Sequence, residues 1–231
     1  LSGVLFPAAI ALAAGGEFER LNRLYLTATR YVVFLNAAML VLVAVFAEPI
    51  LRYWMNPDFA RNGALVLAVM ALSQFVDSLT SLPSLVNDGM GHPRVSGLFA
   101  VARACTGLSI VWIGVRLGGI DGAAFGHLAA SVLFTIAFLG YVHGNTVRTA
   151  LRAVIVRSYF PALAGVAAIA VAARIADRWL APTLAHFAVL LMVTMAALFA
   201  YGMLFVIERG DREAVWLRVK KLFGHARRTP A

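Results

Sequence analysis

The chain has 231 residues, of which 61% are hydrophobic types and 13% charged, and its mean hydropathy is +0.84. Soluble domains run at about 45–50% apolar and about 25% charged residues, so this composition excludes an ordinary soluble globule, a disordered chain and a disulfide-stapled secreted domain. Net charge is +9, with 20 Lys+Arg against 11 Asp+Glu. The basic residues stand between long apolar runs, which points to an anionic membrane surface rather than to nucleic acid.

A helix that crosses a bilayer needs about 20 mainly apolar residues. Leu1 to Gly16 is apolar and short, opens without Met and has no basic stretch before it. It reads as the tail of a span, and the chain as the C-terminal part of a longer membrane protein. Six full spans follow in order: Tyr31 to Ala47, Asn62 to Asn87, Val95 to Val115, Gly122 to Val147, Ser158 to Ala173, and Leu184 to Ile207. The runs lack the alternation of a barrel strand, and only helices or closed barrels satisfy their backbone in hydrocarbon. The fold class is therefore all-α and polytopic, with six full transmembrane helices and one partial helix.

Between the spans lie connectors of unequal charge. Side A is the side reached at the end of the clipped first span. It holds Arg20, Arg23, Arg30, Arg94, Arg148, Arg152, Arg157 and the seven basic residues of the tail after Ile207. Side B holds Arg52, Arg61, Arg116, Arg174 and Arg178, and Arg103 falls inside a span. The excess of cations makes side A, and the C-terminus with it, cytoplasmic. Glu17 to Thr29, Asn145 to Arg157 and the tail Asp211 to Arg228 carry narrow apolar stripes beside many charges. They are expected to be amphipathic helices lying on the membrane. Cys105, the only cysteine, cannot form an internal disulfide and sits among apolar neighbours.

Polar groups within spans are costly and often functional. Asn36, Gln74, Asp77, Asn87, Arg103 and His127 make up the set. Asp88-Gly89-Met90-Gly91-His92-Pro93 is a turn joining two spans, and Met90 is the midpoint between Asp77 and Arg103. In an antiparallel pair the two then share a depth, roughly 10–15 Å inside the cytoplasmic end. They are expected either to form an ion pair that fixes the register or to face one water-filled cavity together. Gln74 lies three residues before Asp77, on nearly the same helix face. His127 and Asn36 either bond across helices or join the pathway. Pro83 should kink its span, and Gly118, Gly119, Gly122, Ala123 and Gly126 should let helices approach closely. No metal-ligand spacing, catalytic set or phosphate-binding loop is visible, so neither an enzyme nor a cofactor is expected.

Several segments resemble a known family. Val4-Leu5-Phe6-Pro7 with Glu17 to Tyr25, Ala47 to Arg52, Asn87 to Arg94, and Gly119 to Ala124 resemble, in order and spacing, bacterial polysaccharide flippases. These form the polysaccharide-transporter branch of the multidrug/oligosaccharidyl-lipid/polysaccharide exporter superfamily. The resemblance covers residues 1 to about 130. It implies the C-terminal portion of a fourteen-helix, two-lobed, alternating-access transporter in the bacterial inner membrane. The substrate would be a lipid-linked oligosaccharide of the undecaprenyl-pyrophosphate type, moved for O-antigen, capsule or exopolysaccharide synthesis. Residues 1–143 would then be second-lobe helices, 144–157 a cytoplasmic linker, 158–207 the final helix pair and 208–231 a basic cytoplasmic tail. The N-terminal half of the same protein and the membrane lipids would be its partners. Arg103, Asp77, Gln74, His127 and Asn36 are the candidate pathway residues. A small-molecule antiporter of the same superfamily and a membrane enzyme acting on lipid-linked glycan are the alternatives.

Overall fold

In the computed structural model, residues 11, 15–147, 149–179, 183–208 and 210 are described. The clipped first span, the Leu-Phe-Pro motif and the amphipathic tail lie outside the described residues. All regular structure among the described residues is helical: α1 (Phe18–Val45), α2 (Ala47–Trp54), α3 (Pro57–Ser78), α4 (Ser81–Gly89), α5 (Pro93–Asn145), α6 (Leu151–Val154), α7 (Phe160–Trp179) and α8 (Leu184–Tyr201). A π-helical turn, Ile155–Tyr159, joins α6 to α7, and another, Gly202–Val206, ends α8. Five helical segments are long and apolar enough to cross a membrane: Phe18–Val45, Pro57–Gly89, Pro93–Asn145, Leu151–Trp179 and Leu184–Val206. Leu117 and Trp179 are more than four-fifths exposed, and Leu98, Leu108, Met192 and Phe199 are each about 70% exposed. So much bare apolar surface suits a polytopic membrane protein, whose outer face meets lipid.

Local sequence sets the helix ends. Asn56 caps α3 by accepting from the Phe59 amide at 2.7 Å, with Pro57 in the first helical position. Pro there loses no hydrogen bond, because that amide has no partner inside the helix. Thr183 caps α8 in the same way, and Pro93 opens α5. Pro83 cannot donate to the carbonyl four residues back. The break duly falls at Leu79 and Thr80, whose amides bond tightly back to Val76 and Asp77 at 3.2 Å. The expected kink is thus a full interruption between α3 and α4.

The 53-residue α5 is two limbs, not one rod. Gly118 leaves helical geometry, and Gly119 has φ +59°, a region open to glycine at no steric cost. The chain reverses there, and limb 120–145 runs back along limb 93–117. Their contact is backbone on backbone. A Cβ on Gly122 would overlap the Gly114 carbonyl, and one on Gly126 would lie 2.9 Å from the Ile110 oxygen. These are the close approaches expected of small residues, with Ala130 against Gly107 one step further along.

Two of the surface helices differ from expectation. Glu17 to Thr29 is not a separate interfacial helix. It is the first part of α1, and Leu21, Tyr25, Thr29, Val33 and Ala37 continue one buried stripe along it. That stripe has the three-to-four-residue period of a packed helix face. Asn145 to Arg157 is likewise no single helix: α5 ends at Asn145, and the helix begun at Leu151 runs on towards α7. The wide turn just before Pro161, with Phe160 bonding back to Ile155, adjusts the ladder ahead of a residue lacking an amide hydrogen.

The core is built around α1, α4, the second limb of α5 and the start of α7. Tyr25, Val33, Leu82, Val86, Phe138, Val142, Val154 and Ala162 form its largest cluster. The segments expected on side A meet at one end. Thr149 donates to Asn22 at 2.7 Å, Ser158 to the Leu26 carbonyl at 2.7 Å, and Arg30 to Glu208 at 2.8 Å. At the opposite end Phe187 stacks on Tyr53 and packs edge-on against Phe46.

Candidate functional site

The interruption between α3 and α4 leaves carbonyls without their helical partners. The Val76 and Asp77 carbonyls keep the tight-turn amides of Leu79 and Thr80, and two hydroxyls add to them. Thr80 donates to the Asp77 carbonyl at 2.8 Å, and Thr135, from the second limb of α5, donates to the Val76 carbonyl at 3.3 Å. The site is therefore anchored on the last turn of α3, where Asp77 stands.

Arg103 reaches Asp77 from the first limb of α5, its Nη2 donating to Asp77 Oδ2. The same Nη2 donates to Ser131 Oγ at 3.3 Å, and Ser131 Oγ lies 3.4 Å from His127 Nδ1. Three elements thus converge on one polar line: Asp77 of α3, Arg103 of limb 93–117, and Ser131 with His127 of limb 120–145. Ser131 is fully buried. The carboxylate is 14% exposed and the guanidinium 33%, so the arginine stands between the acid and open space. Asp77 Oδ1 is buried without a hydrogen-bond partner. Only one of the carboxylate's two oxygens is compensated, which costs energy in a dry setting.

That open space is a cavity of about 620 Å³ between the α4 start and the two limbs of α5. Ser84, Ser96 and Thr80 line it nearer the Met90 turn, and Arg103, Thr135 and His127 line it deeper. Phe99, Phe134 and Phe138 form apolar walls. Arg103 and His127 are its ionisable lining groups among the described residues, and Asp77 does not line it. The space therefore presents cationic and hydroxyl donors with a carboxylate held behind them, an arrangement suited to hydrogen-bond acceptors and anions. Guanidinium Nε and Nη1 are left over for such a ligand, since the pair and Ser131 use Nη2 alone.

The turn between α4 and α5, beside this cavity, is also built from polar groups. Asn87, fully buried, donates to the His92 carbonyl at 2.8 Å and to Ser96 Oγ at 3.0 Å. Ser96 in turn donates to Asp88 Oδ1 at 2.6 Å. Gly91, at φ +89°, completes the reversal between α4 and α5.

Of the five candidate residues, the structure unites three: Asp77, Arg103 and His127. Gln74 is exposed on α3 and outside this hydrogen-bonded line. Asn36 is half-buried on α1 and contributes no bond to it. Ser131, Thr135 and Thr80 were not singled out from sequence. The signal for two of them was there, since 127, 131 and 135 recur every four residues on one helix face. No group of three or more His, Cys, Asp or Glu side chains suited to a metal ion occurs among the described residues. Compared with protein-family models, curated proteins and solved structures, the chain matches none.

Proposed function

We propose that the chain is the second-lobe portion of a flippase that carries lipid-linked oligosaccharide across the bacterial inner membrane by alternating access. The observation that carries this reading is the Asp77–Arg103 pair between long apolar helices, its guanidinium turned towards a cavity rather than sealed into the core. A flippase must give a charged, hydrated headgroup a path through hydrocarbon. An arginine with free donors inside a span is suited to a pyrophosphate. The segments similar to polysaccharide flippases support the same family, and the interrupted α3–α4 helix suits a transporter.

In this reading each limb of α5 is a span of its own, so the described residues supply six crossings. The charge of the connectors favours a cytoplasmic Met90 turn and C-terminus. The bare face of limb 93–117, with Leu98, Val101 and Trp112 exposed, is turned to lipid or to the other lobe. The apolar cavity walls favour a second reading, a small-molecule antiporter of the same superfamily.

The test uses cells whose only copy of the gene carries Arg103→Ala. Surface polysaccharide should fall at least tenfold, and lipid-linked precursor should accumulate on the cytoplasmic leaflet. Normal surface polysaccharide in those cells would remove Arg103 from the mechanism. Normal polysaccharide with altered drug sensitivity in a deletion strain would favour the antiporter.

A further inference from the structure

The cavity beside Arg103 is a trough, open along one side. Leu108 on its lining is 72% exposed, and Ala100 and Ala104 are exposed beside it. Ala100, Ala104, Gly107 and Val111 recur at steps of three to four residues, so one face of limb 93–117 forms the floor. Three of those four residues carry no side-chain atom beyond Cβ, and the trough exists because the limb has no bulk there. Phe99, Phe134 and Phe138 wall it. A charge stands against this apolar lining. The Arg103 side chain is 33% exposed, lines the trough, and keeps Nε and Nη1 unused, because Asp77 and Ser131 take Nη2 alone. An arginine opened sideways to hydrocarbon draws in water or an anion.

A second donor stands beside it. Arg103 can only donate, so Ser131 Oγ accepts from Nη2 at 3.3 Å. The serine hydrogen must then go elsewhere. Ser73 and Thr194 turn theirs to the carbonyl four residues back, whereas Ser131, fully buried, meets His127 Nδ1 at 3.4 Å. With Nδ1 accepting, the imidazole hydrogen is on Nε2. His127 lines the same trough from the opposite limb, so Ser131 ties two donors to one site. We propose that the trough binds an anionic phospholipid of the surrounding bilayer, its phosphate held by Arg103 and His127 and one acyl chain lying along Ala104, Leu108 and Val111. The stretch from Arg103 to Val111 offers that chain roughly 12 Å of apolar floor. Charge selects this occupant over a second copy of the chain. Every described carboxylate other than Asp77 stands in a connector, or beside the end of a long segment or the Gly118–Gly119 reversal. Asp77 itself is already bonded to Arg103. A second copy therefore brings no anion to this depth, whereas a phosphate reaches an intramembrane arginine where the bilayer thins around it. The inference rests on the membrane-spanning part of the preceding reading, and the lipid is a resident ligand, not the transported substrate.

The test uses the full chain purified in detergent and offered equal amounts of phosphatidylglycerol and phosphatidylcholine, with retained lipid read by native mass spectrometry. The anionic lipid should be retained at least tenfold over the zwitterionic one. Ala104→Trp fills the trough and should lower that preference at least fivefold. Val101→Trp, on the exposed side of the same limb and outside the trough, should leave it unchanged. The neutral pair Asp77→Asn with Arg103→Gln should lower it as Ala104→Trp does, with circular dichroism showing that the variant is folded. Equal retention of the two lipids, or a preference that survives both Ala104→Trp and the neutral pair, would overturn the site. So would lipid-free dimers that Ala104→Trp converts to monomers, since a second copy would then cover the trough. Ser131 is a positioning residue, and its part is read by nitrogen-15 NMR of the histidine rings, with His127→Gln assigning the signal. His127 should carry its hydrogen on Nε2 in the wild type and lose that preference in Ser131→Ala. A wild-type ring with its hydrogen on Nδ1 would overturn the paired donors. Lipid selectivity with normal polysaccharide in Arg103→Ala cells would leave this site standing and remove Arg103 from transport; the reverse pair of results would do the opposite.

Discussion

Asp77 and Arg103 stand thirteen residues on either side of Met90 and meet across the turn that Met90 centres, the guanidinium Nη2 donating to the carboxylate Oδ2. Equal distance from the apex becomes equal depth because both arms are helical and rise alike per residue. The interruption at Leu79–Thr80 does not spoil this match, since it adds only a tight turn before α4.

The pair should behave as one unit when either member is removed. Arg103→Ala leaves a largely buried carboxylate without compensation, and a loss of about 2–4 kcal/mol is expected. This lies between the small worth of exposed pairs and the cost of breaking fully buried ones. Asp77→Asn combined with Arg103→Gln should recover at least half of that loss. Unfolding titrations of the purified protein in detergent measure both, and a double variant as unstable as the singles would mean that the two residues are not coupled.

Glycines in the second limb of α5 should respond with opposite signs. Gly122→Ala forces its methyl into the Gly114 carbonyl, and the limbs must part at about 1–3 kcal/mol or more. Gly140→Ala meets open space and should stabilise by about 0.5–1 kcal/mol through helix propensity alone. Thermal melting of the two variants side by side is sufficient. The hairpin packing described here is incorrect should both move the midpoint in the same direction.

Asn87 ties the α4–α5 turn together. Asn87→Ala removes one donor each from the His92 carbonyl, which keeps the Val95 amide, and from Ser96 Oγ, which keeps the Ser84 hydroxyl, with an expected loss of about 0.5–1.5 kcal/mol. The change should be local first. Amide hydrogen exchange at residues 90–96 should speed at least tenfold while the α1 amides keep their protection. Uniform acceleration along the chain would show instead that the amide supports the whole bundle.

Glu208 is a smaller fastening. It accepts from Arg30 at 2.8 Å and Thr27 at 3.3 Å, and its amide donates to the Tyr31 hydroxyl at 3.1 Å. The Glu208 side chain is 55% exposed, so Glu208→Ala should cost at most about 1 kcal/mol globally. It should nonetheless release the end of the last helix, seen as faster protease cleavage near residue 208. Unchanged cleavage would mean the amide bond to Tyr31 suffices.

Much of this architecture was legible before any coordinates, because lipid imposes simple rules. The limits of 95–115, 122–147 and 184–207 lie within a few residues of the observed helices, since charged and turn residues bound those runs. The Asp77–Arg103 meeting was legible for a geometric reason, namely symmetry about Met90. Glu17 to Thr29 was misread because its charges were visible and its partners were not. Tyr25 and Thr29 are buried by α4, α5 and α7 residues far along the chain, including His143 at 2.9 Å from the Tyr25 hydroxyl. Ser131 and Thr135 escaped notice because hydroxyls are ordinary within spans. Their importance comes from the broken ladder of a neighbouring helix, which no window around residue 131 contains. Gln74 shows the converse error, since a three-residue offset from Asp77 gives a shared face but not a shared neighbour.

The break at Leu79–Thr80 has a mechanical consequence. Below it, α4 is fastened to the start of α5 through Asn87, Ser84 and Ser96. Above it, α3 carries Asp77, whose partner Arg103 rides on that same α5 limb. The result is a closed loop of linkages with one break in the helical ladder. A swing of the short α4 arm cannot occur without levering the arginine along or away from its acid. Any displacement of the Met90 turn is therefore felt directly at the Asp77–Arg103 pair.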